Sequence, residues 1–247
     1  VQAADMYLAP GLGFWIHTTS TGTLSGPSAS SSTLAVGQVA ALPRAGLLPP
    51  MAGPVLMDFD DVSRDYWAYS EIGEMRWLGV VHGYSVIPPI FRPQVPVTRA
   101  QMAVFLCRAY LIPGVDSPTP SFADVSPDHW AYRYIEALHA AGIVQGYPGD
   151  GDELPLYCPD FTVSRDQMAV FLMRATGLDP IETSEMPFAD VTPDHWAAPA
   201  IAAIKAAGIT QGYPGDPPTY HPYDTVTRDQ MCVYVDRALR CPPNEQQ

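Results

Sequence analysis

Three near-copies of one segment dominate this chain. Residues 122–147 read FADVSPDHWAYRYIEALHAAGIVQGY, residues 188–213 read FADVTPDHWAAPAIAAIKAAGITQGY, and residues 59–84 read FDDVSRDYWAYSEIGEMRWLGVVHGY. A second shared segment follows each: VTRAQMAVFLCRAY (97–110), VSRDQMAVFLMRAT (163–176) and VTRDQMCVYVDRAL (226–239). Trp67, Trp130 and Trp196 are spaced by 63 and 66 residues, and Arg99, Arg165 and Arg228 by 66 and 63. Such a period marks supersecondary units that cannot bury an apolar face alone and must stack or close on one another. It also tells against a single catalytic centre. The extra residues of the second copy fall in GYPGDGDELPLYCPDFT, between the two shared segments, which marks that stretch as a surface loop.

Local signals predict two helices per copy. Ser126-Pro127-Asp128 has the chemistry of a helix start, with serine as N-cap, proline at the first position and an acid beside the positive end. Thr192-Pro193-Asp194 repeats it, and Ser63-Arg64-Asp65 keeps the cap without the proline. Trp130, Tyr134, Ile135, Leu138 and Ala141 follow at helical spacing, and Gly142 stands where a left-handed C-cap belongs, as Gly79 and Gly208 do in the other copies. The second helix opens on a capping box, Thr98, Ser164 and Thr227 with Gln101, Gln167 and Gln230. Met102, Phe105, Leu106 and Ala109 then line one face, as do Met168, Phe171, Leu172 and Ala175, and Met231, Tyr234, Val235 and Ala238. The expectation is a mainly α protein, with three helix–loop–helix repeats over 58–115, 121–178 and 187–241 closing into a pseudo-threefold helical domain.

Composition narrows the function classes. With 13 basic and 26 acidic residues the net charge is −13, which disfavours nucleic acid and anionic membranes as partners. No run of about 18 apolar residues exists, so nothing is expected to span a bilayer. The 27 prolines imply short helices and many turns. The chain begins at Val1 with no charged-then-apolar leader, as the processed form of an exported protein would, or a trimmed one. Cys107, Cys158, Cys232 and Cys241 have no CxxC pairing and no histidine at ligand spacing, which argues against zinc. Outside the cell one or two disulfides among them are an open expectation beside free buried thiols.

The motifs F-x-D-V, H/Y-W-A, G-[IV]-x-x-G-Y and [TS]-R-x-Q, three times in order, resemble the S-layer homology module in its usual set of three. The resemblance covers about three quarters of the chain. It implies an exported, extracellular cell-envelope protein held non-covalently on a secondary cell-wall polysaccharide, often pyruvylated, or on a modified peptidoglycan glycan. By that resemblance Arg99, Arg165 and Arg228 contact an anionic sugar between adjacent modules, with Trp67, Trp130, Trp196, Gly83, Gly146 and Gly212 contributing. An arginine one position into a helix, beside free backbone N–H groups, suits a carboxylate. Core packing is the alternative for the tryptophans and a conformational role for the glycines. This sequence departs from the family's T-R-A-E start. Glutamine replaces the glutamate throughout, and Asp166 and Asp229 replace the alanine that Ala100 keeps. Those acids are placed to pair with the neighbouring arginines and occupy them.

Residues 1–57 belong to no repeat. HTTSTGTLSGPSASSSTLAVG reads as a linker or O-glycosylated stalk, while the islands Phe14-Trp15-Ile16 and Leu34-Ala35-Val36 suit strand pairing with a neighbouring subunit. The arm is therefore expected to be extended, suited to β pairing, and to join copies into a homo-oligomer or polymer such as a filament or sheet. The alternative is an anchoring fragment of a larger exported protein. An enzyme, such as a glycosidase on Asp150, Asp152 and Glu153, is disfavoured because these acids sit in a Pro/Gly turn of one copy only. His129 and His195 align with Tyr66 and read as structural. No cofactor is implied. A calcium site in Gly149-Asp150-Gly151-Asp152 fails the EF-hand spacing, and the loop reads first as a solvated acidic turn.

Overall fold

In the computed structural model, residues 58–241 are described, apart from Asp150 and Asp152. The N-terminal arm 1–57, with its expected strand pairing, lies outside the described residues. So do the two aspartates of the suggested calcium loop.

The described residues form six helices and one small hairpin. They are α1 (Tyr69–Trp77), β1 (Ser85–Val86), β2 (Pro89–Ile90), α2 (Arg99–Ala109), α3 (Tyr132–Ala140), α4 (Arg165–Thr176), α5 (Ala198–Ala206) and α6 (Arg228–Arg240). β1 and β2 pair antiparallel, Ser85 opposite Ile90. The second helices carry the expected apolar stripes, and all twelve stripe residues named above are buried. Gly142 and Gly208 sit just past the ends of α3 and α5 with φ of 72° and 75°, so the left-handed C-cap holds.

The first helices start later than their signals. Ser63, Ser126 and Thr192 open a turn rather than cap a helix: the N–H groups of Tyr66, His129 and His195 bond back to their carbonyls at 3.0, 2.9 and 3.0 Å. A second turn follows, with Tyr132 N–H on His129 O at 2.8 Å, and the helix begins only at Tyr132. Trp67, Trp130 and Trp196 thus lie on the turn before the helix, 58%, 61% and 60% exposed, and core packing is ruled out for them.

The two helices of a module do not form the main packing pair. Each second helix packs on the first helix of the next module, α2 on α3, α4 on α5 and α6 back on α1. At the pseudo-threefold axis Val97, Val163 and Val226, all fully buried, close a triangle of backbone hydrogen bonds. Val163 donates to Val97 at 2.9 Å, Val97 to Val226 at 2.9 Å, and Val226 to Val163 at 2.8 Å. A buried N–H or C=O must find a partner, and here each module supplies one donor and one acceptor to its neighbours. The ring order 1→2→3→1 is therefore fixed by the backbone itself.

The four cysteines are free. Cys107, Cys232 and Cys241 are buried in helices or at a helix end, and Cys158 is half-buried. Cys107 and Cys241 donate instead to the carbonyls of Tyr134 and Ala207, at 3.5 and 3.3 Å.

Candidate functional site: the three inter-module junctions

Each second helix begins by plugging its arginine into the following module. Arg165, the first residue of α4, donates from Nε to the Tyr220 carbonyl at 2.7 Å. Its guanidinium lies over the rings of Tyr213, Tyr220 and Tyr234, at 4.8, 4.6 and 5.6 Å from the centroids. Arg99 does the same in module two, with Tyr157 O at 2.6 Å and the rings of Tyr147, Tyr157 and Phe171. Arg228 returns to module one, with Phe91 O and His82 O both at 2.9 Å and the rings of Tyr84, Phe91 and Phe105. All three arginines are buried. The aromatic faces and carbonyls compensate a desolvated cation without a carboxylate partner. Burial pulls the Arg228 guanidinium below its ordinary value, against the opposing pull of Tyr84, Cys232 and Asp61.

The helix-terminal N–H groups beside these arginines are not free. Those of Arg99 and Ala100 bond to Phe161 O and Pro159 O, at 2.8 and 2.9 Å. Those of Arg165 and Asp166 bond to Asp224 O and Pro222 O, both at 2.9 Å, and those of Arg228 and Asp229 to Val95 O and Pro93 O, both at 3.0 Å. Neighbouring modules, not an external anion, satisfy them.

A carboxylate not singled out in the sequence holds each cage in place. Asp61, Asp124 and Asp190, the acids of F-x-D-V, each accept two backbone N–H groups from the turn that carries the caging residue. These are Phe91 and Arg92 at 2.7 and 2.6 Å, Tyr157 and Cys158 at 2.7 and 2.6 Å, and Tyr220 and His221 both at 2.7 Å. Arg92, Cys158 and His221 take a left-handed conformation, with φ of 59°, 57° and 58°, and the twin hydrogen bonds offset that cost. Burial raises the Asp190 carboxyl, but the N–H groups of Tyr220 and His221 outweigh it and hold it below the ordinary carboxylate value. The threefold recurrence of F-x-D-V was the available signal.

Gly83, Gly146 and Gly212 precede the caging Tyr84, Tyr147 and Tyr213. At Gly146, with φ of 75°, an added Cβ would lie 2.6 Å from Phe122 and 2.7 Å from Leu156 O. At Gly212 it would lie 2.6 Å from Thr219 O. These glycines let the chain turn tightly against the F-x-D-V phenylalanine and so aim the tyrosine at the arginine.

Asp166 and Asp229 do not pair with the arginines. Asp166 accepts the indole N–H of Trp196 at 2.9 Å, and Nε2 of His195 lies 3.7 Å from the same oxygen, Oδ2. Asp229 Oδ2 accepts Tyr66 O–H at 2.6 Å and the Trp67 indole N–H at 3.2 Å. Each carboxylate also takes the N–H of the following glutamine at 2.7 Å. Ser164 and Gln167 form no capping box, and Gln167 Nε2 donates instead to the Tyr147 hydroxyl at 2.8 Å. The box is intact at Thr98 and Gln101, where both bonds are 3.3 Å. In the third module Gln230 still reaches back to the Thr227 N–H at 3.5 Å. At the position of Asp166 and Asp229 the first junction carries Ala100, which has no carboxylate.

The family model of the S-layer homology domain matches residues 58–103, 121–169 and 187–232, more than half of the chain and one match per module. The chain belongs to the S-layer homology family. Among curated relatives, this S-layer homology chain is 29% identical over 149 residues to a cellulosome-anchoring protein of Acetivibrio thermocellus, 58% of this chain and 31% of that one. It is 25% identical over 192 residues to an S-layer protein of Bacillus licheniformis, 77% of this chain and 21% of that one. It is 32% identical over 117 residues to an endoglucanase of a Bacillus species, 47% of this chain and 11% of that one. The chain therefore spans about a tenth to a third of the length of these relatives. Among the described residues no helix is long and apolar enough to cross a membrane, and no group of His, Cys, Asp and Glu is placed to hold a metal ion.

Proposed function

We propose that this S-layer homology triplet is a non-enzymatic, extracellular anchor that holds its chain non-covalently on a bacterial cell-wall polysaccharide. The observation that carries the reading is the threefold display of Trp67, Trp130 and Trp196, more than half exposed, in a ring of modules whose junctions each bury an arginine. An indole face with an N–H edge is an amphipathic platform that suits a sugar ring. The buried arginine lends the junction positive potential in a chain of net charge −13. Arg99, Arg165 and Arg228 thus act beneath the glycan, with Gly83, Gly146 and Gly212 shaping the cage. Similarity to an S-layer protein and to a cellulosome-anchoring protein supports a surface location.

The test is co-sedimentation with purified bacterial sacculi, native or stripped of secondary polysaccharide. Retention on native sacculi and loss on stripped ones is expected. Equal retention on both moves the ligand to peptidoglycan, and no retention on either contradicts the reading. The finer part of the proposal is that the Ser/Thr/Gly-rich arm 1–57 joins copies into a polymer. Assembly unchanged by deletion of residues 1–40, seen by negative-stain microscopy, would remove it.

A further inference from the structure

The ring has three helix–helix seams, and one of them is built differently. α2 packs on α3 and α4 on α5, and in both cases the chain runs directly from one helix to the next. α6 packs on α1, the last described helix on the first, so among the described residues no segment of chain bridges that seam. Its closure is non-covalent. Modules three and one also meet there through the Val97–Val226 hydrogen bond, the cage around Arg228 and the contacts of Asp229 with Tyr66 and Trp67.

This seam is also the charged one. Glu74 of α1 and Asp236 of α6 are both buried, their side chains 7% and 8% exposed. They converge on one nitrogen of Arg240. Its Nη2 donates to Glu74 Oε2 and, at 3.0 Å, to Asp236 Oδ1, while its Nε donates to Asp236 Oδ2 at 3.0 Å. The equivalent positions in the other two seams are Ala137 with Cys107 and Leu111, and Ala203 with Met173 and Gly177, none of which carries a carboxylate or a cation. Two carboxylates against one guanidinium leave one excess negative charge in the closed seam, and an uncompensated buried charge is costly. A single proton held between the two carboxyls removes it. Burial, reinforced by Asp236, raises the Glu74 carboxyl above its ordinary value, and Arg240 opposes them in part. Of the groups around the pair, Arg76 of α1 donates to Asp58 O at 2.7 Å and Arg237 of α6 to Ile209 O at 3.5 Å. The Cys232 thiol of α6 faces Glu71 of α1, Asp236, Arg228 and Asp229, and burial raises it, so it stays neutral. α2 and α4, which also pack on α6, bring Tyr110 towards Cys241 and Arg165 over Tyr234.

We propose that the seam between modules three and one is a proton-controlled latch, in which Glu74 and Asp236 share one proton, so that the ring is held most firmly in mild acid and loosens at this seam as the pH rises. The sign follows from the raised carboxyl. Such a group contributes stability that is complete below its unfolded-state value and is lost as the pH rises through the folded one. Once the proton leaves, Arg240 balances only one of the two carboxylates, and α1 and α6 separate more readily to let water reach the other. The other two seams have no charged group at these positions and are bridged by the chain, so they do not follow. The latch needs no ligand and does not depend on the anchoring reading.

The test is hydrogen exchange of the full chain by mass spectrometry, from about pH 5 to about pH 9, with each rate corrected for intrinsic exchange so that it reports local opening. In wild type the protection of α1 and α6 is expected to fall severalfold over that range relative to α3 and α4. Glu74→Gln keeps a hydrogen-bonding side chain and removes the excess charge, so its α1 and α6 protection should stay level and exceed that of wild type at the alkaline end. Glu74→Ala copies the residue native to the other two seams, Ala137 and Ala203, so its fold is secured by example. It should be equally insensitive to pH, and it keeps the test open if the glutamine variant fails to fold. Protection of α1 and α6 that ignores pH in wild type, or that falls equally in all six helices, overturns the proposal. So does a fall that persists in a folded Glu74→Gln or Glu74→Ala variant.

Discussion

Replacing Arg165 with alanine removes the pin that joins module two to module three. The side chain donates to the buried Tyr220 carbonyl at 2.7 Å and lies over three aromatic rings. A hydrogen bond from a charged donor is worth about 1.5–3 kcal/mol. A desolvated cation over aromatic faces adds about 1–2 kcal/mol. The empty cage adds the cost of a cavity, and the desolvation penalty of the lost guanidinium partly offsets it. The net loss expected is about 3–5 kcal/mol. For a domain of this size that lowers the melting temperature by roughly 10 °C. Urea denaturation followed by circular dichroism measures it, with Arg133→Ala as the reference. Arg133 is exposed and only meets Asp116 at 3.5 Å, a pair worth less than about 1 kcal/mol. A loss below about 1 kcal/mol for Arg165→Ala would refute the reasoning.

Other expectations follow from the same geometry. Gly212→Ala places a methyl group 2.6 Å from Thr219 O at a φ of 74°, whereas at Gly208, with φ of 75°, nothing lies within 4 Å. Gly208→Ala should therefore cost about 1–2 kcal/mol of stability and Gly212→Ala clearly more, both read from urea midpoints. The Asp190 carboxyl is held below its ordinary value, so its stabilisation is present above the unfolded-state pKa and is lost as pH falls through the folded one. The stability gap between wild type and Asp190→Asn should then be full at pH 7 and close in acid, in urea midpoints taken down the pH scale. Burial raises all four thiols, with Cys107 pushed up to about 12. Cys158, the half-buried one, should be alkylated by iodoacetamide first, and Cys107 and Cys232 only on unfolding, as mass spectrometry of digests would show.

The sequence made the elements legible where one residue's chemistry decides them. Thr98 with Gln101 reads as a helix start, Gly142 as a helix end, and Met168, Phe171, Leu172 and Ala175 as a buried face, and each is so in the structure. Periodicity failed at Trp130, because spacing cannot distinguish the first turn of a helix from the turn that precedes it. The site was legible only in outline. Arg165 stood out by recurrence, but its cage of Tyr213, Tyr220 and Tyr234 comes from the next module, and local pattern carries no record of which module is the neighbour. For the same reason Asp166 appeared bound for Arg165, adjacent in sequence, when the ring delivers Trp196 to it.

The most direct test of the account is the binding of purified sacculi by Trp67→Ala, Trp130→Ala and Trp196→Ala combined, compared with wild type. These side chains are 58–61% exposed, so the triple variant should keep a cooperative unfolding transition. The account predicts a folded protein that no longer co-sediments with the wall. A folded triple variant retained as well as wild type would contradict it.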